Sequence, residues 1–294
     1  MTRPRPLRCL AALAVVALAA TACGRSTQGS GPAGSGPRAA AGTSAAQLLP
    51  ARYQQQGVLR VATAVGYPPM EMYETGTTRL TGVDPDLAQA IAERLGLKLE
   101  LTNAAFDGLI PGLGSGRFDL VMSSMTDSAQ RRQAVDFTDY FRTGGVIMTK
   151  KGNPQGIKTL ADLCGKTVVL AKGSSNLHIG EEQNAKCREK MQISQSEDAP
   201  TGLLQLDTGR AVATIVDYPV AQTFTDRSSA YEVLPAQYGT APWGIATAKN
   251  QSGLRDAVRQ ALQELIDNGR YQKILDTWKV GGSAVSKATI NDGQ

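Results

Sequence analysis

The residues of this chain that could do chemistry are few, and the missing types are as informative as those present. His178 is the single histidine in 294 residues, which argues against imidazole triads and His-based metal sites, so no cofactor is expected. Cysteines stand at Cys9, Cys23, Cys164 and Cys187. The other candidate groups fall in four short segments: Thr63–Tyr67, Ser123–Arg131, Ala171–Asn176 and Val216–Tyr218. They carry hydroxyls, a carboxylate at Asp217 and an arginine whose planar fork suits a carboxylate partner. Arg131 and Arg132 are adjacent, and residue type alone leaves the choice between them open.

The elements around these segments give them a common place. Val58–Thr63 reads as a short buried strand, followed by the turn Gly66-Tyr67-Pro68-Pro69. Asp84-Pro85-Asp86-Leu87 opens a helix with Asp84 as its cap, and Leu87, Ile91 and Leu95 recur at helical spacing before Gly96. Leu97, Leu99 and Leu101 alternate as in a strand. A short helix is expected over Leu109–Leu113, a strand over Asp119–Ser124 and a helix over Ala129–Val135. The alternation returns as strand Thr167–Ala171, a helix from about Ser175, strand Ala211–Val216 and a helix after Asp217. Such βαβα order predicts parallel sheets with helices on both faces, whose ligands meet strand carboxyl ends and helix N-termini. All four segments lie just beyond a predicted strand.

The formal net charge of +5 invites a nucleic-acid reading, but the excess is local. Arg3, Arg5, Arg8, Arg25 and Arg38 precede Pro50 with no acidic residue among them, so the remaining body is neutral. A neutral body lacks the electrostatic footprint of a phosphate-backbone binder, and no nucleic-acid partner is expected. Residues 1–22 read as an export signal: three arginines, then the apolar run Cys9–Ala22, shorter than the roughly 20 residues of a membrane span. The run ends in Ala20-Thr21-Ala22-Cys23, which resembles the lipobox of bacterial lipoproteins and implies a lipid on Cys23. An ordinary signal-peptidase site beside an incidental cysteine is the alternative. Residues 23–49 are rich in Gly, Ser, Pro, Ala and Thr and read as a flexible tether, since they cannot bury enough apolar surface to offset ordering entropy. Export leaves Cys164 and Cys187 to pair as one disulfide, closing a loop of about 24 residues worth on the order of 3 kcal/mol. Two buried thiols are the alternative.

The segments Leu59–Met72, Leu80–Gly96, Phe106–Phe141, Leu160–Ser175 and Gly209–Ala221, with the C-terminal PWGIATAK and GRYQKILDTWKV, resemble the family-3 extracellular solute-binding proteins. These are the amino-acid receptors of bacterial ABC importers, and FDGLIPGLGSGRFD from Phe106 is the most specific block. The resemblance implies an α/β, two-lobed periplasmic-binding-protein (type II) fold, each lobe a mostly parallel sheet flanked by helices, joined by two hinge strands. Lobe 1 would comprise residues 50–145 and 244–294, and lobe 2 residues 146–243.

The resemblance also implies roles. Arg131, five residues before Asp136-Phe137, matches the arginine that holds the ligand carboxylate, with Ser124 and Thr126 beside it; Arg132 then reads as solvated. Asp217 matches the carboxylate that pairs with the ligand ammonium, and capping the next helix is its plainer reading. Ser175 lies on the lobe 2 loop whose N–H groups meet the carboxylate, Lys172 reads as solvated, and Tyr67 and Phe106 match the aromatic pair flanking the ligand side chain. Two departures bear on specificity. Ala64 stands where many members place Asp, which disfavours a cationic ligand, and Met70 replaces a common Phe near the pocket. Val212 and Trp243 read as structural. The implied activity is binding a free amino acid, glutamine or glutamate being preferred, for delivery to an importer permease by a lipid-anchored monomer on the outer face of the membrane. A receptor for a separate signalling partner is one alternative. An enzyme resembling cyclohexadienyl dehydratase is another, though no residue stands out as its general acid, and none is expected to be catalytic.

Overall fold

The computed structural model describes residues Ser44–Gly293. The expected signal segment 1–22, the Cys23 lipidation site and most of the 23–49 tether therefore lie outside the described residues. The end of that tether is ordered. Helix α1 (Ala45–Leu48) buries Ala45 and Leu49, and the Ala45 amide donates to Glu264 Oε1 at 2.9 Å. The composition argument for a tether stops where two apolar side chains find a surface to cover.

Helix α2 (Ala51–Gln56) leads into β1 (Val58–Thr63), and the hairpin β2 (Met72–Tyr73) and β3 (Leu80–Thr81) precedes α3 (Val83–Leu95). Then come β4 (Lys98–Asn103), α4 (Leu109–Gly114), β5 (Leu120–Val121) and the long β6 (Val135–Lys150). The middle of the chain forms β7 (Thr167–Ala171), α5 (Ser175–Lys186), β8 (Gln192–Ser196), α6 (Ala199–Asp207), β9 (Ala213–Asp217) and α7 (Tyr218–Arg227). A second long strand, β10 (Tyr231–Ala248), returns to α8 (Ser252–Asp267), α9 (Arg270–Thr277) and β11 (Ala284–Ile290).

The order β4-β1-β5-β10-β6-β9-β7-β8, with β11 also on β6, makes a nine-stranded sheet among the described residues. It is two sheets sharing two strands. β1 pairs in parallel with β4 and β5, and β7 with β8 and β9, while β6 and β10 run antiparallel to their neighbours. The β10 end that meets β5 pairs Ala246 with Val121, whereas β6 meets β9 through Gly145 opposite Asp217. β6 and β10 thus carry the chain between two lobes side by side, and their register breaks between Tyr238 and Ala241 and between Trp243 and Gly244. Bulges concentrate twist and bending, so the shared ribbon is weakest as a beam where the lobes join.

Several local expectations need correction. Gly82, not Asp84, occupies the cap of α3 at φ 131°, where a side chain would collide with the Met70 carbonyl. Asp84 sits two residues further on, in the first turn, and turns its carboxylate into the core, because the Ser124 amide and Tyr140 hydroxyl offer better partners there. The strand expected over Asp119–Ser124 shortens to β5, since Ser124 at φ 47° leaves extended geometry. The helix expected over Ala129–Val135 is only the 3-10 turn Arg131–Gln133. No helix of the described residues is long and apolar enough to cross a membrane.

Candidate functional site

The seven expected ligand-binding residues meet in one narrow cavity of about 50 Å³ between the lobes. Tyr67, Phe106, Ser124, Thr126 and Arg131 reach it from lobe 1, and Ser175 and Asp217 from lobe 2. Each comes from a turn that ends a strand or opens a helix, for the reason that strand carboxyl ends converge on the crevice. A larger, more open groove of about 830 Å³, lined by Arg142, Tyr218, Arg227 and Trp278, contains none of the seven. In the narrow cavity Asp217 is buried and Arg131 half-buried, so these two charged groups are shielded from water.

Arg131 is half-buried and bridges the lobes: its guanidinium donates to the Thr126 carbonyl at 2.9 Å and to the Gly173 carbonyl at 3.0 Å. It lies 5.4 Å from the centre of the Phe106 ring, within cation–π range. Burial pushes its pKa down to about 10, and the facing Asp217 opposes that shift. Thus the guanidinium remains charged at neutral pH. Arg132 is not free in solvent: it donates to Asp127 at 2.8 Å and is largely buried. The two neighbours are separated by function after all, one turned to the cavity and one to an internal ion pair.

Asp217 ends β9 and holds the cap position of α7, yet its side chain makes no capping bond. Instead it accepts a short hydrogen bond from the Tyr67 hydroxyl, which in turn accepts from the Asp217 amide at 3.2 Å. Burial raises this carboxyl to about 6, against the lowering effects of Tyr67, Asn176 and Arg131. The Tyr67 phenol is held well above its ordinary range by burial and by Asp217, so it stays a donor. Ser175 opens α5, and its hydroxyl lies 3.0 Å from that of Thr126 across the cleft. Ser174 caps α5 by accepting from the Leu177 amide at 3.0 Å, and the N-terminus of the helix, with Ser174 and Ser175, borders the cavity.

Lys172 is solvated as expected, and its exposed ammonium lies 2.7 Å from Asp107 of lobe 1. With Arg131–Gly173, Thr126–Ser175 and Tyr67–Asp217, that ion pair ties the lobes in a closed arrangement. Gly66 shows how closely they approach, since a Cβ there would lie 2.7 Å from the Asp198 side chain. Met70 is wholly buried in the core behind the cavity and does not shape its wall, contrary to expectation. Trp243 is core, stacked 5.0 Å from Phe141, and His178 is exposed beside Glu182 at 3.2 Å. Cys164 and Cys187 form the disulfide, their Cα atoms 5.5 Å apart, in the lobe 2 core away from the cavity.

Ser123, from the expected segment, also lines the cavity, and so do Glu71, Glu197 and Asp198, which sequence reasoning missed. Glu71 is 2% exposed and follows Pro68-Pro69-Met70. Its carboxyl is raised well above the ordinary range by burial and then by Asp84, while Asp84, also buried, rises to about 6. Asp198 was detectable as a helix cap, for Asp198-Ala-Pro-Thr precedes α6 and its side chain accepts from the Thr201 amide at 2.8 Å. β8 before it is too polar to have been read as a strand.

The fold and cavity agree with what the chain resembles. Residues 59–281 match the family described as bacterial extracellular solute-binding proteins, family 3. The arginine-binding protein of Corynebacterium glutamicum is 30% identical over 251 residues, covering 83% of this chain and 82% of that protein. An ancestral arginine-binding protein bound to arginine is 34% identical with a TM-score of 0.72, covering 76% of this chain and 98% of the other; its glutamine-bound form gives 0.71. An ancestral amino-acid-binding protein, a precursor of cyclohexadienyl dehydratase, is 30% identical with a TM-score of 0.71, covering 78% and 98%. Two sheets sharing a pair of hinge strands, a polar cavity at their strand ends and a match over most of the chain identify this protein as a member of the family-3 extracellular solute-binding proteins.

Proposed function

We propose that this protein binds a free amino acid between its lobes and delivers it to the permease of an ABC importer. The observation that carries the reading is the placement of Arg131 and Asp217 on opposite walls of one cavity. A zwitterion offers each its complement: the carboxylate to Arg131 and the α5 amides, the ammonium to Asp217. Because the two anchors belong to different lobes, a ligand bound to both favours the closed state and shifts the population toward it. Entry requires the lobes to part, with bending at the β6–β10 register breaks, and we place the lobe boundaries near residues 145 and 243 on that ground. Amino-acid-binding relatives support the ligand class.

The cavity's charge inventory refines the ligand. Arg131 is committed to the carboxylate and Lys172 to Asp107, whereas Glu197 adds a negative charge close to Lys172. A glutamate side chain finds no spare cation here. A side chain that donates hydrogen bonds, neutral as in glutamine or cationic as in arginine, fits better, so the carboxylates compensate for Ala64. A thermal-shift screen of the twenty amino acids, followed by calorimetry, tests this: glutamine or arginine should stabilise the protein and glutamate should not. No stabilisation by any amino acid would sink the proposal.

Export and attachment through a lipid on Cys23 belong to the same reading, as does action as a monomer. Failure of labelled palmitate to enter the protein would count against the anchor. The similarity to a precursor of cyclohexadienyl dehydratase keeps an enzymatic reading in view; turnover of prephenate or arogenate would establish it.

A further inference from the structure

Glu71 lies between the two lobe 1 segments that face the ligand and is bonded to both. Its main-chain carbonyl accepts from the amides of Gly66 at 3.2 Å and Tyr67 at 3.0 Å, closing the turn that carries the Tyr67 ring. Its carboxyl accepts from the hydroxyls of Ser123 at 3.3 Å and Ser124 at 3.1 Å. Ser123 in turn accepts from the Ala64 amide at 2.9 Å. Ser124 is held at φ 47°, a conformation that a serine rarely adopts. Its amide donates to Asp84 Oδ2 at 2.8 Å, so two buried carboxyls hold one strained residue from opposite ends.

Both carboxyls bond to Ser124, Asp84 to its amide and Glu71 to its hydroxyl, and Asp84 is among the groups that raise Glu71. Two carboxyls buried side by side disfavour double ionisation, so one of them keeps its proton. Asp84 is the better anion. It already accepts from the Ser124 amide and from the Tyr140 hydroxyl at 2.6 Å, and it lies in the first turn of α3, where the helix dipole favours negative charge. Glu71 has only serine hydroxyls. Every polar atom of its side chain is therefore occupied by the protein, although the residue lines the cavity.

We propose that Glu71 is a positioning residue of the ligand site: as a neutral acid, it bridges Asp84 to Ser123 and Ser124 and fixes them, with Tyr67, in binding geometry. It adds no charge to the cavity and makes no direct bond to ligand. Glutamine reproduces its shape, keeps a donor toward Asp84 and an acceptor toward one serine, and presents its amide nitrogen to the other serine, whose hydroxyl can turn to accept. Methionine keeps the volume and loses both bonds.

The inference rests on the amino-acid-binding reading, and its test separates the two. Calorimetry on the full chain and on E71Q and E71M, with L-glutamine and L-arginine as probes, is paired with thermal melts and circular dichroism. E71Q should bind within about threefold of wild type, and E71M should lose about tenfold or more at an unchanged far-ultraviolet spectrum. Tenfold weakening in E71Q would overturn the proposal, because it would mean that the glutamate charge itself holds the ligand. Unchanged affinity in E71M would overturn it too. If wild type bound neither probe nor any other amino acid, the underlying reading would fall as well.

Discussion

Asp217→Asn gives a sharp test of how the cavity holds an ammonium group. Asp217 is buried and its carboxyl is pushed up to about 6 from 3.8, with desolvation as the first cause. In the ligand-free protein the proton is therefore retained down a pH range where an exposed Asp has lost it. An ammonium placed against this carboxyl favours its ionised form. Binding then expels a proton below about pH 6, so affinity falls as the pH falls. If the ammonium restores the carboxyl to its ordinary 3.8, the whole span from neutral pH to pH 4 is worth up to about 100-fold, or ~3 kcal/mol. Asparagine cannot ionise and should bind about as weakly at pH 7.5 as wild type does near pH 4. Asp84 titrates in the same region, so the informative quantity is the difference in slope between wild type and D217N. Calorimetry at half-unit steps from pH 7.5 to 4.5 reads it directly. Equal slopes in the two proteins would refute the ammonium assignment.

Other expectations follow from the same geometry. Arg131→Ala should abolish tight amino-acid binding while leaving the melting temperature within a few degrees, because its partners are main-chain carbonyls at the cleft; unchanged affinity by calorimetry would contradict this. Replacing Cys164 and Cys187 by Ala should cost on the order of 3 kcal/mol in urea unfolding, from the loop of 23 residues' separation that the bond closes, without altering ligand affinity. Asp139 is buried with one carboxylate oxygen unpartnered among the described residues, and burial raises it to about 7. Its folded form binds a proton that the unfolded chain releases near 3.8, so its contribution to stability is lost as the pH rises toward 7. Asp139→Asn should accordingly flatten the decline in urea stability between pH 5 and pH 8 by about 1–3 kcal/mol; an unchanged slope would show that Asp139 ionises freely.

Much of the fold was legible because strand and helix periodicity are local. Val58–Thr63 and Thr167–Ala171 are strands over the expected spans, and Leu87, Ile91 and Leu95 face the core of α3 as their spacing requires. Legibility failed where a distant group competed for a local one. Asp84 has the credentials of a helix cap, but Tyr140, 56 residues away, captures it. Arg132 looks solvated in any window of sequence, and its partner Asp127 can be assigned only in three dimensions. Glu71 was overlooked for a different reason: its role consists of bonds to the protein, and nothing near it in sequence signals them.

By itself, the sequence determined the element order, the neutral charge of the body, the even pair of cysteines and the polar segments that end the strands. Those properties depend on residue type and short-range spacing, which persist whatever the chain does elsewhere. Only the tertiary structure decided that the chain crosses between lobes on β6 and β10, and that Arg131 and Asp217, far apart in sequence, face each other across a closed cleft. It alone decided which carboxyls are buried beside one another at Ser124. Strand pairing and desolvation are long-range effects: they arise from which surfaces meet, and a linear pattern does not encode the electrostatic environment that results.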